Sequence, residues 1–173
     1  GWIALHTGVA GSADAILIPE IPYDISKVAE KIKQRDQQGS NFTIVVVAEG
    51  AKPVGGAVSV VEKESGRAER LGGIGEKVAA EIQALTRKET RVVVLGHLLR
   101  GGSPIANDRL IALRFGAAAV RALDEGQAGV MVALDPPLVN YVPLEEATRR
   151  MKAVPLDCDT ILTGRDLGVC FGD

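Results

Sequence analysis

Short apolar runs alternate with segments of helical periodicity along the whole chain. The runs lie at residues 15–18, 42–48, 91–95 and 129–134 and are rich in valine, isoleucine and leucine. Each run is continuous rather than alternating, which is typical of a strand buried on both faces of a parallel sheet. Helical patterns fill the intervals, so we predict a three-layer α/β fold with a mostly parallel sheet and flanking helices.

The helical segments have recognisable starts and ends. A helix over the first ten residues is expected to end at Gly11, and Asp24 can cap a helix that runs to about Gln38. Apolar periodicity predicts further helices over residues 74–88, 106–125 and 157–165, and a short helix that begins around Tyr141. Residues 50–71 show little periodicity, and we expect a loop or a mobile excursion there.

The length suits one lobe of a larger enzyme. The chain has 173 residues with 46% hydrophobic and 24% charged residues, which excludes a disordered protein. It contains no internal repeat or linker, so we predict a single lobe over residues 1–173. The chain opens on Gly1 inside a helical pattern that lacks an N-cap. We therefore expect a further N-terminal part to be absent.

Charge and cysteine content exclude several classes of partner. The net charge is −2, which gives no bulk attraction to nucleic acid or to a membrane surface. No apolar run approaches the roughly 18 residues that a membrane helix needs. Cys158 and Cys170 lie in no metal-binding or redox spacing. We expect a cytoplasmic protein with neither nucleic acid nor membrane as a partner.

The stretch from Arg91 to Arg109 is the strongest candidate site. His97 and Arg100 follow the apolar run, and a helix begins shortly after Ser103. An arginine fork matches phosphate oxygens, and a helix N-terminus favours anions. Glycines at 101 and 102 let a backbone approach a ligand closely. Together these features describe a phosphate pocket.

Ordinary structural roles explain the same residues equally well. A histidine after a strand is often structural, and Gly-Gly-Ser-Pro is a common turn. Glu49 follows the second apolar run, where its carboxylate can accept hydrogen bonds from sugar hydroxyls or simply be a charge at a loop mouth. No nucleophile and base, Walker-type loop or pair of metal-binding carboxylates is visible. The residues alone leave both interpretations open.

Several segments together resemble one enzyme family. Residues 91–104, Arg-Val-Val-Val-Leu-Gly-His-Leu-Leu-Arg-Gly-Gly-Ser-Pro, followed by Asp108-Arg109, closely resemble the sugar-phosphate loop of the phosphofructokinases. Residues 1–6, 18–23, 44–50 and 142–147 match the same family in the same order. The resemblance spans nearly the whole chain, and the motif Gly-His-Leu-x-Arg-Gly-Gly-Ser-Pro is highly specific.

The resemblance implies a role for each matching residue. His97 and Arg100 are similar to the pair that grips the 6-phosphate of fructose 6-phosphate, and Glu49 to the carboxylate that binds the sugar hydroxyls. Arg91 resembles an arginine that reaches into a neighbouring subunit, which implies a homo-oligomer, a dimer or tetramer, with shared sites. The supporting residues of the loop are Gly96, Gly101, Gly102 and Ser103.

The resemblance also implies what this chain lacks. In the family, the donor-binding Gly-Gly-Asp segment, the aspartate that acts as base and a Met-Gly-Arg segment all precede the part matched here. We therefore expect no catalytic residue and no metal ligand in this chain, with Mg²⁺ bound mainly by the other half. The implied function is the substrate-binding C-terminal part of a 6-phosphofructokinase of glycolysis that uses ATP or diphosphate. The isolated chain is expected to be inactive and to expose an apolar patch.

Two alternatives and three departures from the family pattern remain. The chain could be a non-catalytic sugar-phosphate-binding or regulatory lobe of the same family, or an unrelated sugar-phosphate-binding α/β domain. Leu99 stands where the family usually has glutamine, and Asp14 where allosteric members place an acidic effector-site residue. The lysines expected before the second run are replaced at residues 38–41. These departures argue against the usual effector regulation.

Overall fold

The structure, a computed structural model, describes residues 1–62, 70–149 and 151–173. They form two compact units. Unit 1 comprises residues 1–94 and 153–173, and unit 2 comprises residues 95–152. Residues 1–173, predicted to form one sugar-phosphate lobe, therefore contain two compact units. That the two units function together as a single lobe stays a prediction.

Helices and short strands alternate along the described residues. The α-helices are α1 (Trp2–Ala10), α2 (Ile25–Gln37), α3 (Ile74–Thr86), α4 (Ala106–Asp124), α5 (Leu144–Arg149) and α6 (Asp159–Asp166). The strands are β1 (Ala15–Leu17), β2 (Val45–Val47), β3 (Val60–Glu62), β4 (Arg70–Leu71), β5 (Val130–Asp135) and β6 (Leu138–Pro143). The helices predicted at the first ten residues, after Asp24, and around residues 74, 106 and 157 are confirmed.

The core of unit 1 lies on both faces of a parallel strand pair. β1 pairs with β2, and Leu17 lies opposite Val47. Because successive strand residues point to opposite faces, Ile16 packs in a cluster with residues of α1 and α6, whereas Leu17 packs in another with residues of α2 and α3. Helices therefore cover both faces of the strands. Complete burial of a side chain such as Ile16 stabilises the fold by about 1.5–3 kcal/mol.

The last residues of the chain extend this sheet. Ala15 forms a parallel bridge with Cys170. The N–H of Cys170 donates to the carbonyl of Asp14, and the N–H of Ile16 donates to the carbonyl of Cys170, both at 2.9 Å. β1 thus has a parallel neighbour on each side, which explains why all its residues are buried.

The apolar run at residues 91–95 does not form the predicted third strand. These residues belong to neither a strand nor a helix, and Val93 and Val94 are 76% and 79% exposed. A β-branched run becomes a strand only where a neighbouring strand pairs with its backbone. Among the described residues, no strand pairs with this run, so the prediction was wrong here.

Two further segments differ from the sequence predictions. The loop predicted over residues 50–71 contains the antiparallel pair of β3 and β4, while residues 63–69 lie outside the described part of the chain. The short helix predicted from Tyr141 begins instead at Leu144, because residues 138–143 form β6. Exposed and part-buried residues largely alternate along β6, which is the period of a strand with one face packed.

Unit 2 is an antiparallel hairpin with α4 packed against it. β5 confirms the strand predicted at residues 129–134 and pairs with β6 along its full length. Ala118 and Ala122 of α4 are 1% and 5% exposed, and the Tyr141 hydroxyl donates to the Ala118 carbonyl at 3.3 Å. A 3-10 turn, Gly96–Arg100, precedes α4. Within the described residues, no helix is both long and apolar enough to cross a membrane.

Candidate functional site

Glu49 lies at the carboxyl end of the parallel strands in unit 1. The N–H of Ala48 donates to the carbonyl of Leu17 at 2.8 Å, and the N–H of Ala51 donates to the carbonyl of Ala48 at 2.9 Å. These bonds close a turn directly after β2, and Glu49 is exposed on it. An ionised carboxylate only accepts hydrogen bonds, so this position suits a ligand rich in hydroxyl groups.

Glu20, at the same edge of the sheet, has a structural role. Its side chain is only 14% exposed, and its Oε1 accepts a hydrogen bond from the backbone N–H of Val154 at 2.9 Å. A buried backbone donor needs such a partner. Glu20 therefore holds two distant segments of unit 1 together, whereas Glu49 remains accessible.

Arg91 also belongs to unit 1 and is held loosely. Its Nε and Nη2 each lie 2.9 Å from Glu89 Oε1, and the two side chains are 84% and 75% exposed. An exposed ion pair of this kind contributes between nothing and about 1 kcal/mol. Arg91 can therefore exchange Glu89 for another anion at little cost.

The predicted phosphate loop, residues 96–104, is one continuous segment of unit 2. His97 lies in the 3-10 turn and is exposed, and Ser103 is exposed beyond it. Gly96 and Gly102 have φ angles of +48° and +91°, which L side chains rarely adopt. Gly101 instead is extended, and its N–H donates to the carbonyl of Leu98 at 3.2 Å.

Arg100 ends the 3-10 turn of this loop. In the chain, Arg100 follows His97 by three residues and directly precedes Gly101 and Gly102. The predicted contact of its guanidinium with a phosphate concerns side-chain atoms outside those that the structure describes.

The start of α4 follows the loop directly. The Asp108 carboxylate accepts a hydrogen bond from the N–H of Ile105 at 3.0 Å, so Asp108 caps the helix rather than taking part in chemistry. The N-terminal end of this 19-residue helix, with its unpaired N–H groups and positive dipole end, lies next to the loop.

The predicted site residues are divided between the two units. Glu49 and Arg91 belong to unit 1, and the loop residues Gly96, His97, Arg100, Gly101, Gly102 and Ser103 belong to unit 2. Within unit 2, the chain places six of them in one short segment. Within unit 1, Glu49 and Arg91 are separate features, one at a strand end and the other beside Glu89.

Sequence reasoning named Asp14 but missed the polar cluster around it. Asp14 Oδ1 lies 2.8 Å from Arg35 Nε, and Oδ2 accepts a hydrogen bond from the N–H of Ile44 at 2.9 Å. Asp14 and Arg35 border a cavity of about 420 Å³ that Lys31 also lines. No local motif links residues so far apart in the chain, so only the fold reveals the cluster.

The described residues offer no arrangement for a metal ion. Across residues 1–62, 70–149 and 151–173, no group of three or more histidines, cysteines, aspartates or glutamates is positioned to hold one.

Comparison with known proteins decides the family. The family model described as Phosphofructokinase matches residues 1–123. The chain belongs to the phosphofructokinase family. The matched range includes the loop at residues 91–104 and the segments at residues 1–6, 18–23 and 44–50, so the predicted resemblance to the family is confirmed.

Curated relatives of this phosphofructokinase chain name both kinds of donor. It is 54% identical over 173 residues to the ATP-dependent 6-phosphofructokinase of Chloroflexus aurantiacus, covering 100% of this chain and 47% of the relative. It is 48% identical over 157 residues to the pyrophosphate–fructose 6-phosphate 1-phosphotransferase of Amycolatopsis methanolica, covering 90% and 46%. The chain thus spans about half the length of these relatives.

A solved structure confirms the α/β fold class of this phosphofructokinase chain. The crystal structure of Pichia pastoris phosphofructokinase in the T-state is similar with a TM-score of 0.66 and 30% sequence identity. The similarity covers 95% of this chain and 16% of that chain. Both units of the chain therefore contribute to the match.

Proposed function

We propose that this chain is the fructose 6-phosphate-binding C-terminal part of a 6-phosphofructokinase. The whole enzyme would transfer a phosphoryl group to the sugar 1-hydroxyl and form fructose 1,6-bisphosphate in glycolysis. Family membership supports the proposal, as do relatives whose names specify 6-phosphofructokinase and fructose 6-phosphate 1-phosphotransferase. A cytoplasmic location fits this role.

The observation that carries the proposal is the loop at residues 96–104. Two glycines with positive φ shape it, His97 is exposed on it, and the N-terminus of α4 follows it. A phosphate dianion beside such a helix end gains from the dipole and from free backbone N–H groups. In this proposal, His97 and Arg100 donate to the 6-phosphate oxygens, and Ser103 and the glycines support the loop.

Glu49 and Arg91 complete the proposed binding role. The exposed Glu49 carboxylate would accept hydrogen bonds from sugar hydroxyls. Arg91 is free to exchange Glu89 for a phosphate and would reach the site of a neighbouring subunit. The enzyme would then be a homo-oligomer, a dimer or tetramer, with shared sites.

Phosphoryl transfer needs groups beyond those described in this chain. The donor, ATP or diphosphate, and Mg²⁺ would be bound mainly by the half of the enzyme that the relatives possess and this chain does not span. When bound, Mg²⁺ supplies charge neutralisation on the transferred phosphoryl group. The residues of this chain bind and orient the sugar phosphate, so we expect the 173-residue chain alone to transfer no phosphate.

Calorimetric titration of the chain with fructose 6-phosphate tests the proposal. We expect the chain to bind fructose 6-phosphate and not fructose, because His97 and Arg100 are proposed to contact the phosphate group. Arg100→Ala and His97→Ala should each weaken binding at least tenfold, since a charge-assisted hydrogen bond contributes about 1.5–3 kcal/mol. Arg121→Ala removes an exposed arginine of α4 outside the loop and serves as the matched control.

The outcomes separate the competing functions. Unchanged binding in Arg100→Ala would contradict the site assignment. Phosphate transfer by the purified 173-residue chain would contradict the proposal that the donor and Mg²⁺ are bound mainly by the half of the enzyme that this chain does not span. A full-length protein that binds fructose 6-phosphate but transfers no phosphate from ATP or diphosphate would favour the non-catalytic, regulatory lobe.

A further inference from the structure

Lys52 follows Glu49 by three residues on the turn after β2. This turn is hydrogen-bonded at both ends to residues at or beyond the end of β1. Before it, the N–H of Ala48 donates to the carbonyl of Leu17 at 2.8 Å, and at its end the carbonyl of Lys52 accepts from the N–H of Tyr23 at 3.0 Å. The backbone of Lys52 is therefore held in register with the parallel strands.

Two further features stiffen the turn. Ala51 is fully buried and packs in the cluster that contains residues of α2 and α3. Pro53 forms a parallel bridge with Tyr23, and a residue that precedes a proline is restricted to extended backbone. The side chains of Glu49 and Lys52 thus start from a backbone that is already ordered, which lowers the entropic cost of binding a ligand.

The ammonium of Lys52 is available to a ligand. Within the described part of the chain, no carboxylate pairs with it, and the residue is only partly buried. Lys52 lies beyond the carboxyl ends of the parallel strands, where open α/β structures bind their ligands. An ammonium has three N–H donors and a compact charge that suit phosphate oxygens. These features favour a phosphate group as the partner of Lys52.

Glu49 narrows the kind of ligand that carries this phosphate. A carboxylate and an ammonium on one turn suit a molecule with a hydroxyl and a phosphate close together. In the proposed function, the 6-phosphate belongs to His97 and Arg100, and Glu49 accepts from the sugar hydroxyls. The phosphate left for Lys52 is the one at the 1-position, which fructose 1,6-bisphosphate has and fructose 6-phosphate lacks.

We propose that Lys52 binds the 1-phosphate of fructose 1,6-bisphosphate and so favours the bisphosphate over fructose 6-phosphate. The identity of the sugar rests on the proposed function. Lys52 then sets how strongly the product competes with the substrate, because it contacts a charge that only the product carries.

Calorimetric titration of the 173-residue chain with each of the two sugar phosphates tests this role. Lys52→Gln keeps a hydrogen-bond donor but removes the charge, and a charged donor binds about twice as strongly as a neutral one. We expect it to weaken binding of fructose 1,6-bisphosphate about tenfold and to change binding of fructose 6-phosphate less than about twofold. Lys52→Arg keeps the charge and should retain most of the preference for the bisphosphate.

Lys33→Gln is the matched control. Lys33 is exposed on α2, in the second half of the helix that connects β1 to β2. A helix that connects two parallel strands returns the chain to the amino edge of the sheet, so Lys33 lies away from Glu49. This variant removes the same charge and should leave both affinities unchanged. Circular dichroism should show that all three variants are folded.

Phosphorus NMR of the bound bisphosphate shows which phosphate each residue contacts. Lys52→Gln should shift the signal of the 1-phosphate and leave that of the 6-phosphate in place, whereas Arg100→Ala should do the reverse. A shift of the 6-phosphate signal in Lys52→Gln would overturn the proposal.

The titrations also separate this proposal from the proposed function. If Lys52→Gln weakens binding of both sugar phosphates equally, or of neither, Lys52 does not distinguish them and the proposal is wrong, while the proposed function stands. If the wild-type chain binds neither sugar phosphate, the proposed function is wrong and the role of Lys52 is wrong with it.

Discussion

The carboxylate of Glu20 accepts a hydrogen bond from the backbone N–H of Val154 at 2.9 Å across 134 residues of sequence. Val154 is 3% exposed and lies where the chain re-enters unit 1 after unit 2. We predict that Glu20→Ala lowers the free energy of unfolding by about 1–3 kcal/mol, because it leaves a buried donor without its acceptor. Urea denaturation followed by circular dichroism measures the change.

Glu20→Gln is the informative control for this bond. Glutamine keeps an amide oxygen at the same reach and can still accept from the N–H of Val154. It should therefore lose less stability than Glu20→Ala. Equal losses of stability in the two variants would show that side-chain packing, rather than the hydrogen bond, stabilises the contact between Glu20 and Val154.

The parts of the fold that local patterns determine were predicted well. Asp24 caps α2 through Ser26, and apolar periodicity located α3 and α4 to within two residues. The strand predicted at residues 91–95 failed because strand formation depends on a neighbour, which a local pattern does not contain. Tyr141 lies in β6 for the same kind of reason, since its pairing with Val132 outweighs the signal of a helix start.

The candidate site was predictable only in part. The loop at residues 96–104 is one contiguous segment, so its motif located it without knowledge of the fold. The Asp14 cluster depends on Arg35 and Ile44, which the fold brings together from separate elements. The structural role of Glu20 likewise depends on Val154, which no local pattern around Glu20 reveals.

Two adjacent glycines of the proposed phosphate loop should respond differently to substitution. Gly102 has a φ of +91° with no atom near an added Cβ, so Gly102→Ala should cost about 1–2 kcal/mol through backbone strain alone. Gly101 is extended, and an added Cβ would lie 3.5 Å from the Leu98 carbonyl oxygen, an ordinary contact.

Denaturation curves of the two alanine variants test this difference directly. Gly101→Ala should be close to the wild type in stability, and Gly102→Ala should be less stable. The strained variant should also bind fructose 6-phosphate more weakly, because the loop must shift. Equal stability of the two variants would contradict the left-handed conformation at position 102.

The cap of α2 predicts a contribution to stability that depends on pH. Ser26 donates from its hydroxyl and its N–H to Asp24 Oδ1 at 2.7 and 2.8 Å, and these bonds hold the pKa of Asp24 below its ordinary value. Because the folded pKa is depressed, this contribution is present above the unfolded pKa, about 3.9. It is lost as the pH falls through the folded pKa.

Asp24→Asn keeps a capping oxygen but does not titrate. The stability of the wild type relative to Asp24→Asn should therefore decrease as the pH is lowered from 6 to below about 4. Thermal unfolding at a series of pH values measures the difference. A difference that stays constant over this range would show that the hydrogen bonds from Ser26 do not favour the ionised carboxyl.

Cys170 should be a slow target for alkylation in the folded chain. Burial raises the pKa of its thiol, while the N–H of Gly172, 3.4 Å from Sγ, partly opposes this effect. The thiolate is the reactive form, so less of it is present at pH 7.5 than in the unfolded chain. Cys158→Ser leaves Cys170 as the single thiol, and serine is a favourable residue at the N-cap of α6 that Cys158 occupies.

Mass spectrometry of this variant with iodoacetamide should show several-fold slower labelling in buffer than in urea. Raising the pH toward 10 should increase the labelling rate in buffer more steeply than in urea, because the folded pKa is the higher of the two. Equal labelling rates in buffer and in urea at pH 7.5 would mean that the segment around Cys170 separates from β1 as fast as the reagent reacts with the thiol. The pairing of Ala15 with Cys170 would then be too weak to protect the edge of the sheet.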